Sequence, residues 1–145
     1  MADYRRGTHT VYDLKYHFVW VTKYRHPILV GDLAVAARDL IRRICEERDT
    51  MIVSGHVSRD HVHLLVSPPP SVSPSDLAQV MKGKSSRLLF EQFPHLRRRY
   101  WGQHLWARSY FVASSGAVTN EMIQEYIARQ DQPRDEKFTV ADDAQ

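Results

Sequence analysis

The pair His61-Val62-His63, a tyrosine at position 126 and a glutamine at position 130 are the residues of this 145-residue chain whose types and spacing could do chemistry. Histidines at i and i+2 point to one face if their segment is a strand. Tyr126 and Gln130, at i and i+4, share a face if theirs is a helix. Two imidazoles, one amide oxygen and one phenol would supply three ligands for a divalent cation and one nucleophile. Such a set suits phosphodiester chemistry at a metal-bound phosphate. Each piece also has a plainer reading. Val62, Leu64 and Val66 make the apolar face of the same segment, so the histidines could be partly exposed surface residues, a spacing common by chance. Tyr126 falls in a stripe with Met122 and Ile123 and would serve equally as a core or interface tyrosine. Gln130, near a helix end, could simply be solvated. Asp60 could orient a ligating imidazole by accepting its other N–H, or could be a turn residue.

The elements that must position these residues are legible in the hydropathy pattern. Residues 12–24 alternate, with Leu14, Tyr16, Phe18 and Trp20 on one face and Lys15, His17, Val19 and Val21 on the other, which predicts a long strand. Leu33, Ala37, Leu40, Ile41 and Ile44 recur at helical spacing and predict an amphipathic helix over 31–48. The runs 51–57 and 61–67, separated by Ser58-Arg59-Asp60, predict a hairpin. Residues 68–75 form a loop, and Pro74-Ser75 open a second helix that Pro94 ends. Residues 105–113 predict another strand, Ser114-Ser115-Gly116 a turn, and Thr119 a cap for a last helix through Gln130. The resulting order, β-α-β-β-α-β-α, describes an α+β, ferredoxin-like (RRM-like) antiparallel sheet with helices packed on one face. The other face would be covered by ligand, by the last helix or by another subunit.

Length and composition frame this as one domain, residues 1–130, followed by a polar acidic tail, 131–145. The net charge of +3 hides an asymmetry. The tail carries two basic and five acidic side chains, so the body is the more basic part. A modestly basic body is compatible with nucleic acid and equally with a solvated surface. No apolar run approaches bilayer length, and the first ten residues lack a signal-peptide core. Cys45 is the only cysteine, which excludes an internal disulfide and favours a cytoplasmic protein with no membrane partner.

The stretches HVHLLVSPPP, LAQVMKGKSSRLLFEQFP, YWGQHLWARSYFVA and IQEYIARQ, with the early YHFVWVTKYRHPIL, resemble the single-tyrosine HUH transposases of bacterial insertion sequences, the TnpA type. The resemblance spans roughly residues 9–131, and each motif position is filled. It implies that His61, His63 and Gln130 ligate Mg²⁺ or Mn²⁺ and that Tyr126 attacks a phosphate of single-stranded DNA. It further implies a 5′-phosphotyrosine link with a free 3′-hydroxyl, rejoining by attack of another strand end, and recognition of hairpins near the element ends. A homodimer that shares its active sites between subunits is also implied.

Lys23, Arg25, Lys82, Lys84, Arg87, Arg97 and Arg98 are candidate contacts to DNA backbone, with solvated charge as the plainer reading. Trp101, Trp106 and Tyr110 could stack bases or pack in the core. Gly83-Lys84-Ser85 is not a phosphate-binding P-loop, because Ala78 stands where that loop needs a glycine. Two other functions compete: a non-catalytic single-stranded nucleic-acid binding module, and a repeat-associated or relaxase-like HUH nuclease. The usual RNA-recognition signature is absent, which weighs against the first. Relaxases and initiators usually carry further domains, which weighs against the second.

Overall fold

The computed structural model describes residues 4–100, 104–114 and 120–129. Its four-stranded antiparallel sheet is built from β3 (Tyr16–Val21), β4 (Met51–Val57), β5 (His61–Ser67) and β6 (Phe111–Ser114), in the order β4-β5-β3-β6. Strands β1 (Arg5–Arg6) and β2 (Val11–Tyr12) form a short ribbon outside that sheet. The helices are α1 (Gly31–Glu47), α2 (Pro74–Gln92) and α3 (Asn120–Ala128). With β1 and β2 set aside, the strand and helix order and the sheet order are those of the expected ferredoxin-like α+β fold.

Phe18, Trp20, Val62, Leu64 and Val66 point to one side of the sheet and are buried beneath α1 and α2. Helix α1 contributes Leu33, Leu40, Ile41 and Ile44 to that core, each worth about 1.5–3 kcal/mol in removal from water. Helix α2 adds Leu77, Met81 and Leu89. It starts where the sequence predicts, with Pro74 in the first turn and Ser73 Oγ accepting the Asp76 N–H at 3.1 Å. On the other side, Val19 and Val21 are fully buried against Ile123 and Ile127 of α3. Two helices therefore cover one face and the last helix covers part of the other.

Two predicted strands are shorter than their hydropathy suggests. The 12–24 segment divides into β2 and β3, and β3 stops at Val21. Beyond it the chain turns sharply, with Tyr24 and Arg25 both in the left-handed region at φ 61° and 55°, which no strand can accommodate. The 105–113 segment keeps only an isolated bridge from Trp106 to Thr22 and then β6. Between them the carbonyls of Arg108 and Ser109 accept from Lys82 Nζ at 2.9 and 3.0 Å. Strand β4 carries a bulge between Ile52 and Ser54, and a Cβ at the following Gly55 would lie 2.6 Å from Leu64 Cδ2, which would have to shift.

Candidate active site and nucleic-acid interface

The sheet register gathers histidines onto the face under α3. His61 pairs with Val21 and His63 with Val19 across β5 and β3, while His17 pairs with Leu65. His56 lies opposite His63 on β4. Directly opposed residues share a face, so His17, His56, His61 and His63 stand on the side that Val19 and Val21 present to α3. His17 and His56 are sequence misses. Their partners are remote in the chain and only the register brings them together.

His61 Nδ1 lies 2.9 Å from Asp60 Oδ1. An ionised carboxylate only accepts, so Nδ1 donates to it and Nε2 is the ring nitrogen left to meet a metal, the arrangement expected of a ligating imidazole. Burial pushes the Asp60 carboxyl up, but the contacts with His61 and Arg25 outweigh it and hold the group below its usual 3.8. His63 Nε2 lies 3.1 Å from His17 Nδ1, so one ring donates to the other. Burial first, then the neighbouring His17, His61 and His56, lower the pKa of His63 and keep it neutral. Imidazole nitrogens suit a transition-metal dication such as Mn²⁺ better than a purely oxygen-seeking ion. Among the described residues, no group of three or more His, Cys, Asp or Glu is arranged to hold a metal. Gln130, the expected third ligand, lies outside the described residues.

Tyr126 rides on α3, half-buried, with its ring 5.7 Å from that of Phe111. Its hydroxyl lies 3.0 Å from Ser109 Oγ. Burial raises the phenol above its ordinary 10, only partly offset by the Ser109 contact. In this arrangement the oxygen is a protonated phenol, and attack on phosphorus requires that proton to leave.

A largely basic groove of about 730 Å³ runs between α2 and the 104–108 segment, lined by Lys23, Lys82, Arg87, Arg97 and Arg108 with His104, Trp106 and Glu91, whose carboxylate pairs with Arg87 at 3.3 Å. Four of the seven cations expected to contact DNA therefore converge. The other three go elsewhere. Lys84 is paired with Glu47 at 3.1 Å. Arg98 lines a cavity with Ile28, Leu33 and Leu96. Arg25 has its side chain only 6% exposed and its Nε 3.4 Å from Asp60 Oδ2. The serines of the KGKSS stretch do structural work: Trp106 Nε1 donates to Ser85 Oγ at 2.9 Å, and the Leu105 N–H to Ser86 Oγ at 3.1 Å. Trp106 is thus a core residue at the groove wall, Tyr110 is half-buried beneath Lys82, and Trp101 lies outside the described residues.

The family profile described as "Transposase IS200 like" matches residues 10–130. The chain belongs to the IS200-like transposase family. The ISDra2 transposase TnpA of Deinococcus radiodurans is 37% identical over 128 residues, covering 88% of this chain and 91% of that one. The IS200 transposase of Salmonella typhimurium is 36% identical over 130 residues, covering 90% and 85%. The crystal structure of a candidate transposase from Deinococcus radiodurans superposes with a TM-score of 0.81 at 39% identity, over 87% of this chain and 97% of the other. A REP-associated tyrosine transposase bound to a REP hairpin shares the fold alone, with a TM-score of 0.55 at 15% identity over 88% and 69% of the two chains. This IS200-like transposase is a DNA-processing enzyme of the single-tyrosine HUH type. No helix among its described residues is long and apolar enough to cross a membrane.

Proposed function

We propose that the protein cleaves and rejoins single-stranded DNA at hairpin-marked element ends through a 5′-phosphotyrosine intermediate, acting as a homodimer. The seating of α3, with Tyr126, on the same sheet face as His61 and His63 carries this reading. His61 and His63, with Gln130, would hold Mg²⁺ or Mn²⁺. That cation, when bound, would polarise the scissile phosphate and stabilise charge on the departing oxygen. The protein's own residues do the rest. Lys23, Lys82, Arg87 and Arg97 hold the sugar-phosphate backbone in the basic groove. Tyr126 Oη gives up its proton and bonds to phosphorus, and the bond from phosphorus to the 3′-oxygen breaks, leaving a free 3′-hydroxyl once that oxygen is protonated. A 3′-hydroxyl from another end then attacks the same phosphorus and releases the phenol. The phosphodiester is conserved, so joining needs no nucleotide hydrolysis.

A covalent adduct tests this. Hairpin-ended single-stranded DNA with Mg²⁺ or Mn²⁺ should give a protein–DNA species that survives denaturant. Tyr126→Phe should abolish the adduct while hairpin binding persists, and His61→Ala or His63→Ala should remove cleavage more than binding. An adduct formed by Tyr126→Phe would discard the nucleophile. Binding without any adduct from the wild type would favour a non-catalytic binding module.

A further inference from the structure

We propose that Arg25 and Asp60 form a relay that locks the His61 ring with its Nε2 facing outward, making both positioning residues for the cation site. This rests on the reading of His61 as a ligand. The relay begins in the turn after β3. Tyr24 and Arg25 are consecutive non-glycine residues at φ 61° and 55°, a conformation that L residues adopt only when their surroundings impose it. The turn is imposed by three contacts: Arg25 N–H to Thr22 O at 2.9 Å, Lys23 N–H to Leu105 O at 2.8 Å, and Thr22 Oγ1 to His26 O at 2.8 Å. The effect is to fold Arg25 inward rather than toward solvent.

The Arg25 guanidinium meets Asp60 with Nε 3.4 Å from Oδ2, their side chains 6% and 10% exposed. The other carboxylate oxygen faces His61 Nδ1 at 2.9 Å. The backbone of Asp60 is held too, its carbonyl accepting the Thr22 N–H at 2.9 Å. The carboxylate is thus gripped from the turn and spends its second oxygen on one ring nitrogen. A buried ion pair is in itself weak evidence for stability. A buried pair placed in a strained turn and aimed at one nitrogen of a ligand is better explained by orientation of that ligand. The relay also gives Arg25 a role other than phosphate contact.

The test uses the full-length protein with Mn²⁺ as the probe. Long-range ¹⁵N correlation spectra of the metal-free wild type should show the His61 proton on Nδ1. Mn²⁺ affinity, read by electron paramagnetic resonance, should fall about 10- to 100-fold in Asp60→Asn. It should fall by a smaller factor in Arg25→Gln, where the carboxylate still faces Nδ1. The double variant leaves no lone buried charge and should match Asp60→Asn while keeping a native circular dichroism spectrum. A wild-type His61 protonated on Nε2, or wild-type Mn²⁺ affinity in the folded double variant, would overturn the relay. So would an Arg25→Gln variant with unchanged Mn²⁺ affinity and a hairpin-binding salt slope reduced by about one, which marks a phosphate contact. A wild type with the expected tautomer and Mn²⁺ affinity but no DNA adduct would sink the strand-transfer reading and leave the relay supported.

Discussion

Lys82 holds its ammonium against the carbonyls of Arg108 and Ser109 and 5.6 Å from the ring centroid of Tyr110. Burial pushes it down from 10.5 to about 8. A lysine so placed begins to lose its charge just above neutral pH, and with it any attraction for a phosphate. Single-stranded DNA affinity should therefore fall several-fold between about pH 7 and pH 9 in the wild type, read by fluorescence anisotropy at fixed salt. Lys82→Arg should flatten that dependence, since a guanidinium stays charged. Lys84→Gln should leave the affinity nearly unchanged, because Lys84 faces Glu47. A wild type with no pH response, or a Lys84→Gln variant as weak as Lys82→Gln, would remove Lys82 from the interface. The difference between these lysines was not legible in the sequence. Two positions apart on a helix, they point to different neighbours, and only the packed structure says which neighbour is Glu47 and which is a pair of carbonyls. His17 escaped notice for a related reason: its contact, His63, lies 46 positions away.

Helix α2 meets the 104–106 segment through polar groups as well as through its apolar stripe. Ser85 Oγ accepts from Trp106 Nε1 and Ser86 Oγ from the Leu105 N–H. Trp106 is 5% exposed, so Ser85→Ala strands a buried donor and should cost about 1–3 kcal/mol, measured by urea denaturation. A change below about 0.5 kcal/mol, the size of an ordinary surface substitution, would show that the indole finds another partner. The serines read as part of a motif without a reason; the reason is an interelement contact that hydropathy cannot encode. Helices and hairpin, by contrast, were legible because burial on one side imposes periodicity. The 31–48 prediction differs from α1 by one residue at the C-terminal end, and the 51–57 and 61–67 runs are β4 and β5. The two strand overestimates share a cause. Each continues in hydropathy past the point where the backbone is turned away, by left-handed residues in one case and by Lys82 in the other.

For the molecule as a whole, several histidines sit where their charged forms are disfavoured. Burial lowers the pKa values of His17 and His63, and burial with the nearby Arg99 lowers that of His26, all below 6.5. Below that value the unfolded chain binds protons that the folded one does not, so the contribution of these histidines to stability is full above about pH 6.5 and declines as the pH falls beneath it. Asp60 adds a second loss as the pH drops through its folded value, which lies under 3.8. Thermal melts of the metal-free protein should show this two-stage decline, and His26→Gln should reduce the slope of the first stage. A melting temperature flat from neutrality down to about pH 4 would contradict it. Strand β3 is the feature on which the whole molecule converges. Phe18, Val19, Trp20 and Val21 are all fully buried, two beneath α1 and α2 and two beneath α3. A strand exposed on one side tolerates replacement at every second position; this one has no permissive side. Saturation mutagenesis should find an unbroken intolerant block from 18 to 21, and the amide protons there should exchange with solvent only when the entire domain opens.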